Sequence, residues 1–172
     1  HLPTRLKISS KWELIYSIDQ HGTSLSTLYT QSNHQKGSCI LILKDHTDHR
    51  FGAFLNESLK VSNQYYGTGE CFLWKSIEFD PSDFRIGFCV KKYEWTGIND
   101  YMILSDHEML SVGGGDGKFG LWIDSNLEKG ISTNCSTFNN EILSNSKTES
   151  NLMGREIGSF DILGLECWRI LV

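Results

Sequence analysis

The sequence predicts a mainly β (α+β) fold, two antiparallel sheets packed as a sandwich and flanked by short helices. Three observations predict it. Short apolar runs recur along the chain, several alternating with the period of two that turns one face of a strand inward. Glycine and asparagine clusters separate them as turn residues do. Only one stretch, residues 24–32, carries the three-to-four spacing of a helix. The 172 residues suit one domain, residues 1–172, and a chain of this length buries roughly 70% of its unfolded surface without needing a metal or a disulfide.

Taken in order, residues 12–17 (WELIYS) read as the first strand, and Gln20-His21-Gly22 as a turn. A helix over 24–32 follows, capped by Thr23 or Ser24, with Leu25, Leu28 and Tyr29 on one face. Residues 39–44 and 50–55 form a hairpin across the polar loop 45–49. Residues 71–77 are apolar and aromatic. Phe84, Ile86, Phe88 and Val90 alternate, and 101–104, 108–112 and 119–124 are further short strands. The polar stretch 139–158 reads as a loop with room for a helical turn. In the last strand, 160–171, the apolar phase shifts near Gly164, as a β-bulge shifts it. Eight or nine strands result.

Charge and cysteine usage exclude several classes. The net charge is −5 and the densest basic stretch is Lys91-Lys92, so the basic stripe that displaces counterions from nucleic acid is missing. The longest apolar run, residues 39–43, is far short of the ~20 residues of a membrane helix. Residues 1–5 hold no signal-peptide core, and the chain starts without Met, as an excised piece would. Five cysteines at 39, 71, 89, 135 and 167 are odd in number and widely spaced. That fits buried thiols in a reducing compartment, with Cys39, Cys71 and Cys89 in apolar runs. A cytoplasmic location is the expectation.

Each tempting motif meets an objection. Residues 115–120 spell G-x-G-x-x-G, yet a strand pattern follows where a dinucleotide fingerprint requires a helix. A tight connection between strands explains the glycines better. Asp19, His21 and Ser24 lie too close along one turn to build a hydrolytic triad. His46 and His49, with Asp45 and Asp48, occupy what reads as a mobile, solvated loop rather than a rigid metal site. Glu70 and Glu141 are carboxylates among aromatics and could form an acid/base pair, though a surface or hydrogen-bonding role is favoured. No catalytic, cofactor or metal site is therefore assigned. The five tryptophans suit a sandwich core, except Trp95, whose turn-like setting fits an exposed binding residue.

The spelling carries further than the physics. The run Trp12-x-Leu14-x-Tyr16-Ser17, His21-Gly22-x-Ser24-Leu25, Phe51-Gly52-Ala53-Phe54 and Tyr66-Gly67-Thr68-Gly69-Glu70 resembles the TLDc domain. So do Trp95-Thr96-Gly97-x-Asn99, Gly113-Gly114-Gly115-x-Gly117-x-Phe119-Gly120-Leu121-Trp122 and the later Cys135, Thr137-Phe138, Asn140-Glu141 and Leu165-Glu166-x-Trp168. This family occurs in oxidation-resistance proteins and in related nuclear-receptor coactivator and TBC-domain proteins. Residues 75–93 match it least, and the stretch between Ser144 and Phe160 looks lengthened.

The resemblance implies a β-sandwich with short helices, a role in oxidative-stress resistance and no agreed catalytic residues. It also implies docking on the V1 sector of the vacuolar proton-pumping ATPase, through stalk and catalytic-head subunits, with recruitment to vacuolar or lysosomal membranes. A mitochondrial or nuclear pool is compatible with the same reading. The expected partner-binding residues are Gly67, Thr68, Gly69, Glu70, Trp95, Gly115, Asp116 and Gly117, since loops on a rigid sandwich commonly carry recognition. Two alternatives stand beside this: direct antioxidant chemistry at Cys135, whose polar neighbours suit a redox thiol, and a glycan- or peptide-binding sandwich.

Overall fold

In the computed structural model, residues 2, 11–77, 89–145, 147–150, 154 and 156–171 are described. The chain runs β1 (Lys11–Ser17), α1 (Ile18–His21), α2 (Leu25–Asn33), β2 (Cys39–Asp45), β3 (Arg50–Leu55), β4 (Ser62–Tyr66) and β5 (Phe72–Ser76). It continues with β6 (Val90–Glu94), β7 (Ile103–Ser105), β8 (Met109–Val112), β9 (Leu121–Asp124), β10 (Lys129–Ser132), β11 (Lys147–Ser150) and β12 (Glu156–Leu171). No helix among the described residues is long and apolar enough to cross a membrane.

The long last strand organises the molecule. Its first part pairs β10 and β11, its second part pairs β1 and β2, and the register shifts between Ile162 and Gly164. All twelve strands among the described residues therefore join one antiparallel hydrogen-bonded sheet. That sheet has two halves: β1-β12-β2-β3-β5-β6, and β11-β12-β10-β9-β8-β7-β4. The phase shift expected near Gly164 is where the shared strand leaves one half for the other, a common use of a bulge.

Between the halves lies one core. Leu41, Leu43, Phe51, Ala53 and Leu73 from the first half pack in a single cluster with Leu110, Val112, Leu121 and Ile123 from the second. Phe51 meets Phe160 edge-on at 4.8 Å between ring centres. Each such residue contributes about 1.5–3 kcal/mol on burial. β2 is apolar on both faces because Ile40 joins a second cluster, with Phe54, Phe72, Trp74 and Ile170, on the outer face of the first half. Leu2 packs against that cluster.

The helix forms as its spacing predicts. Ser24 is the cap, its Oγ accepting from the Thr27 N–H at 3.3 Å, and Leu25, Leu28 and Tyr29 are buried. Tyr29 also donates its hydroxyl to the Met109 carbonyl at 2.9 Å, tying α2 to β8. The 20–22 turn is a single helical turn closed by Gly22, against which Tyr16 donates its hydroxyl to the Gly22 carbonyl.

Several expectations need correction. The polar stretch 139–158 contains strand β11, and β12 begins at Glu156, so this segment is a sheet edge as well as a loop. Its charged side chains hid it, as charge at sheet edges often does. The alternation 84–90 meets the structure only at Val90, which opens β6; residues 84–88 lie outside the described ones. β4 and β10 were too short and polar to stand out. Of the five tryptophans only Trp74 belongs to a core; Trp12 and Trp95 are exposed, and Trp122 and Trp168 are half-buried.

Candidate functional site

At one end of the sandwich, four connections that are far apart in sequence are fastened together. Gly69 lies flat under the Trp95 indole: a Cβ there would sit 2.7 Å from the ring's Cζ3. The indole N–H donates to the Asn99 carbonyl at 2.7 Å. Asn99 uses its side chain in both senses, donating to Ser136 Oγ at 3.0 Å and accepting from Thr137 Oγ1 at 2.7 Å. Thr96 donates its hydroxyl to the Ser136 carbonyl at 2.7 Å. The glycine-rich loop joins through Gly114, whose N–H donates to Thr137 Oγ1 at 2.9 Å.

These glycines answer to space and to backbone angle together. A Cβ at Gly113 would come within 2.7 Å of Cys135 Sγ and of Phe138. Gly113, Gly115 and Gly117 all have positive φ, and so does Asp116 at the tip, a conformation that side chains resist. The strand β9 follows the loop rather than a helix, which is the geometric reading of the G-x-G-x-x-G spelling.

The structure thus brings Gly69, Glu70 and Trp95 to one notch, shared with Phe72, Lys92 and Glu94. It links that notch through Asn99 and Ser136 to Gly115, with exposed Asp116 beside it. Gly67 is set a layer deeper, against Ile103, Asn56 and Cys71, while the Thr68 N–H donates to Asn56 Oδ1 at 2.9 Å. Ile98, absent from the sequence reading, and Tyr101, read there as the start of strand 101–104 but lying before β7, are 70% and 44% exposed beside Trp95 at 39%. Their signal was available: two large apolar residues inside an otherwise polar turn. The linking role of Asn99, Ser136 and Thr137, which set the geometry, was not read from the sequence, although Asn99 and Thr137 stand in the quoted motifs, because a hydrogen-bond partner about 38 residues away leaves no local pattern.

A second concavity, about 1260 Å³, lies on the outer face of the other half, around the cross-strand pair Trp122 and Ile131. Glu141 lines it and is gripped by Lys75 at 2.9 Å and by Lys91. The hydrogen bonds from those two ammonium groups draw its carboxyl down to about 2. Burial, with the same carboxylate, pushes the Tyr93 phenol well above its usual range. Glu141 and Glu70 line different concavities, so the suggested acid/base pairing does not form around a common groove.

The cysteines exchange roles relative to expectation. Cys135, chosen for its polar neighbours, is 1% exposed, and burial pushes its thiol up. A redox thiol needs access and thiolate character, and both are opposed here. The polar residues around Cys135 serve the fold instead: Asn140 Oδ1 accepts from its N–H at 3.2 Å. Cys71 is raised to about 11 by burial, and Cys39 and Cys167 are buried too, whereas Cys89, expected in the core, is exposed. A thiol reagent applied to the native protein is therefore expected to modify Cys89 at once. The other four should react only after denaturant is added, which mass mapping of the labelled peptides checks.

The histidine-bearing loop is corrected as well. It is solvated only in its middle: His46, Thr47 and Asp48 are exposed, whereas Asp45 and His49 are buried, and Asp45 collects the hairpin's donors. His46 stays exposed, and among the described residues no three metal-binding side chains converge. Ser24 and His21 hold local structure, Ser24 as the helix cap and His21 stacked on Tyr16 at 5.4 Å.

Known proteins match this sequence over most of its length. The TLDc domain family model matches residues 1–171. Oxidation resistance protein 1 of Debaryomyces hansenii is 37% identical over 98% of the chain, and that of Podospora anserina is 37% identical over 98%. Human nuclear receptor coactivator 7 is 42% identical over 93%. The chain spans 67%, 56% and 16% of the lengths of these three proteins. This chain belongs to the TLDc domain family.

Proposed function

We propose that this domain is a non-enzymatic protein-binding regulator that docks on the V1 sector of the vacuolar proton-pumping ATPase and modulates its assembly or activity. Family membership, with oxidation resistance proteins matched over nearly the whole chain, supports a role related to oxidative stress. The observation that carries the binding reading is the loop end, where Trp95 and its neighbours are exposed yet held by the Asn99–Ser136–Thr137 network. A surface fixed before contact loses little entropy on docking. The domain works in the cytoplasm on this reading and reaches membranes through the pump. Direct antioxidant chemistry at Cys135 has lost its premise, since the thiol is buried.

The test uses purified V1 and the purified domain. V1 subunits should co-purify with the domain, and ATP hydrolysis by V1 should change when it is added. No association, together with unchanged assembly and hydrolysis, rejects the proposal.

A further inference from the structure

Three large apolar side chains project from one loop, between β6 and β7. Trp95, Ile98 and Tyr101 are 39%, 70% and 44% exposed, although exposed apolar residues normally occur singly. Two of the three are held in place. Trp95 is pinned by Gly69 beneath it and by the Asn99 carbonyl. Tyr101 packs against Tyr65 at 4.8 Å between ring centres, and its N–H donates to Asn99 Oδ1 at 3.1 Å. The loop's backbone is sewn to Ser136 and Thr137 through Thr96. Rigid, clustered aromatics with an aliphatic neighbour are the composition of a binding hot spot.

Charge defines what can sit on it. Glu70 and Glu94 share the notch beside Trp95, Asp100 lies between Asn99 and Tyr101, and Asp116 tips the adjoining glycine loop; all four are exposed. Lys92 is engaged with Glu94 at 2.7 Å and lies over the Phe72 ring, and Lys118 lines the larger groove. The apolar patch is thus flanked by the exposed carboxylates of Asp100, in the same loop, and Asp116, in the adjoining one. An acidic partner would be repelled there, and a neutral apolar one would leave the carboxylates to be desolvated without compensation.

We infer that Trp95, Ile98 and Tyr101, with the carboxylates around them, form a preformed docking surface for a basic, apolar segment of a partner protein. This rests on the reading of the domain as a protein-binding module. Apolar side chains of the segment cover the three residues, and its Arg or Lys side chains meet Asp100 and Asp116. The rim speeds and orients encounter, and the patch holds the complex.

The probe is a synthetic peptide of alternating Leu and Arg, with a Leu/Glu peptide of the same pattern as control. Amide shifts are followed by NMR on the purified domain. The Leu/Arg peptide should shift residues 69–71, 95–101 and 114–117 and bind at least tenfold more tightly than the control. Ile98→Asp, and separately Asp100→Lys with Asp116→Lys, should each weaken it tenfold or more, with the spectrum otherwise intact because these side chains are exposed. Equal binding of both peptides, undiminished binding to Ile98→Asp, or shifts centred on Trp122 and Ile131 overturns the inference. The same variants are then tested on V1. If V1 binds wild type and Ile98→Asp alike, this surface is rejected and the proposed function stands. If V1 binds neither, the proposed function fails, and the peptide result alone decides the surface.

Discussion

Gly52→Val is expected to prevent the chain from folding. Gly52 sits in the middle of β3, opposite Ile42 of β2 on one side and Trp74 of β5 on the other. A Cβ at this position would overlap the Leu41 carbonyl oxygen and lie 2.9 Å from its carbonyl carbon. The obstacle is backbone, not the end of a flexible side chain. Relief requires moving β2, whose Leu41 and Leu43 are fully buried in the shared core. Overpacking of a side chain costs about 1–3 kcal/mol when neighbours can rearrange. Here they cannot, and the loss should exceed about 4 kcal/mol, a large part of the ~5–15 kcal/mol that holds a domain folded. Gly164→Ala is the contrast. Its Cβ would meet Lys44 Cβ at 3.4 Å, an ordinary contact, and should cost about 1 kcal/mol or less. Urea unfolding followed by tryptophan fluorescence separates the two. A cooperative transition near the wild-type midpoint for Gly52→Val would refute the packing described for β2 and β3.

Asp45→Ala is the second substitution expected to matter greatly. Asp45 closes the β2–β3 hairpin from a fully buried position. Its Oδ1 accepts from the Thr47 N–H at 2.9 Å, the Thr47 hydroxyl at 2.7 Å and the His49 N–H at 3.1 Å. Its Oδ2 accepts from Ser144 Oγ at 2.8 Å, nearly a hundred residues away. Hydrogen bonds to a charged group contribute about 1.5–3 kcal/mol each, and they do not add fully. Alanine would strand buried donors on the hairpin and on the segment leading to β11 together. A loss of about 3–5 kcal/mol follows, lowering the melting temperature by roughly 10 °C or more for a chain of this size. Asp45→Asn should cost far less. The amide oxygen can replace Oδ1, and the amide nitrogen can donate to the Ser144 hydroxyl, which accepts as readily as it donates. Equal melting temperatures for alanine and asparagine would contradict the assignment of this carboxylate as the hairpin's acceptor.

The two sites also show what a sequence discloses and what it hides. Gly52 was legible in kind: a small residue inside an apolar strand marks close approach of another backbone. Gly164 announced the bulge through the change in apolar phase, and Ser24, Leu25, Leu28 and Tyr29 announced a capped helix. Local patterns record local geometry. Asp45 was misread because its surroundings, Asp-His-Thr-Asp-His, spell a solvated loop, while its burial depends on Ser144. Cys135 was misread for the same reason: its own N–H and thiol turn inward to Asn140, while Asn134 beside it stays exposed. At the loop end, Trp95, Glu70 and the glycines were legible as turn residues. Their assembly into one surface was not, because Asn99, Ser136 and Thr137 act across long sequence distances. The sandwich was visible, and so was a bulge near Gly164; that the bulge marks where one strand serves both halves, joining all strands in one hydrogen-bonded sheet, appears only in the pairing of β12.

The proposed regulation makes one quantitative demand. A ligand that binds two states equally well shifts neither, however tight its binding. The domain's affinity should therefore be measured, at one salt concentration, for detached V1 and for the fully assembled pump. The account predicts dissociation constants that differ at least tenfold, in whichever direction matches the change in assembly that the domain produces. Equal dissociation constants, or binding to neither form, would contradict it.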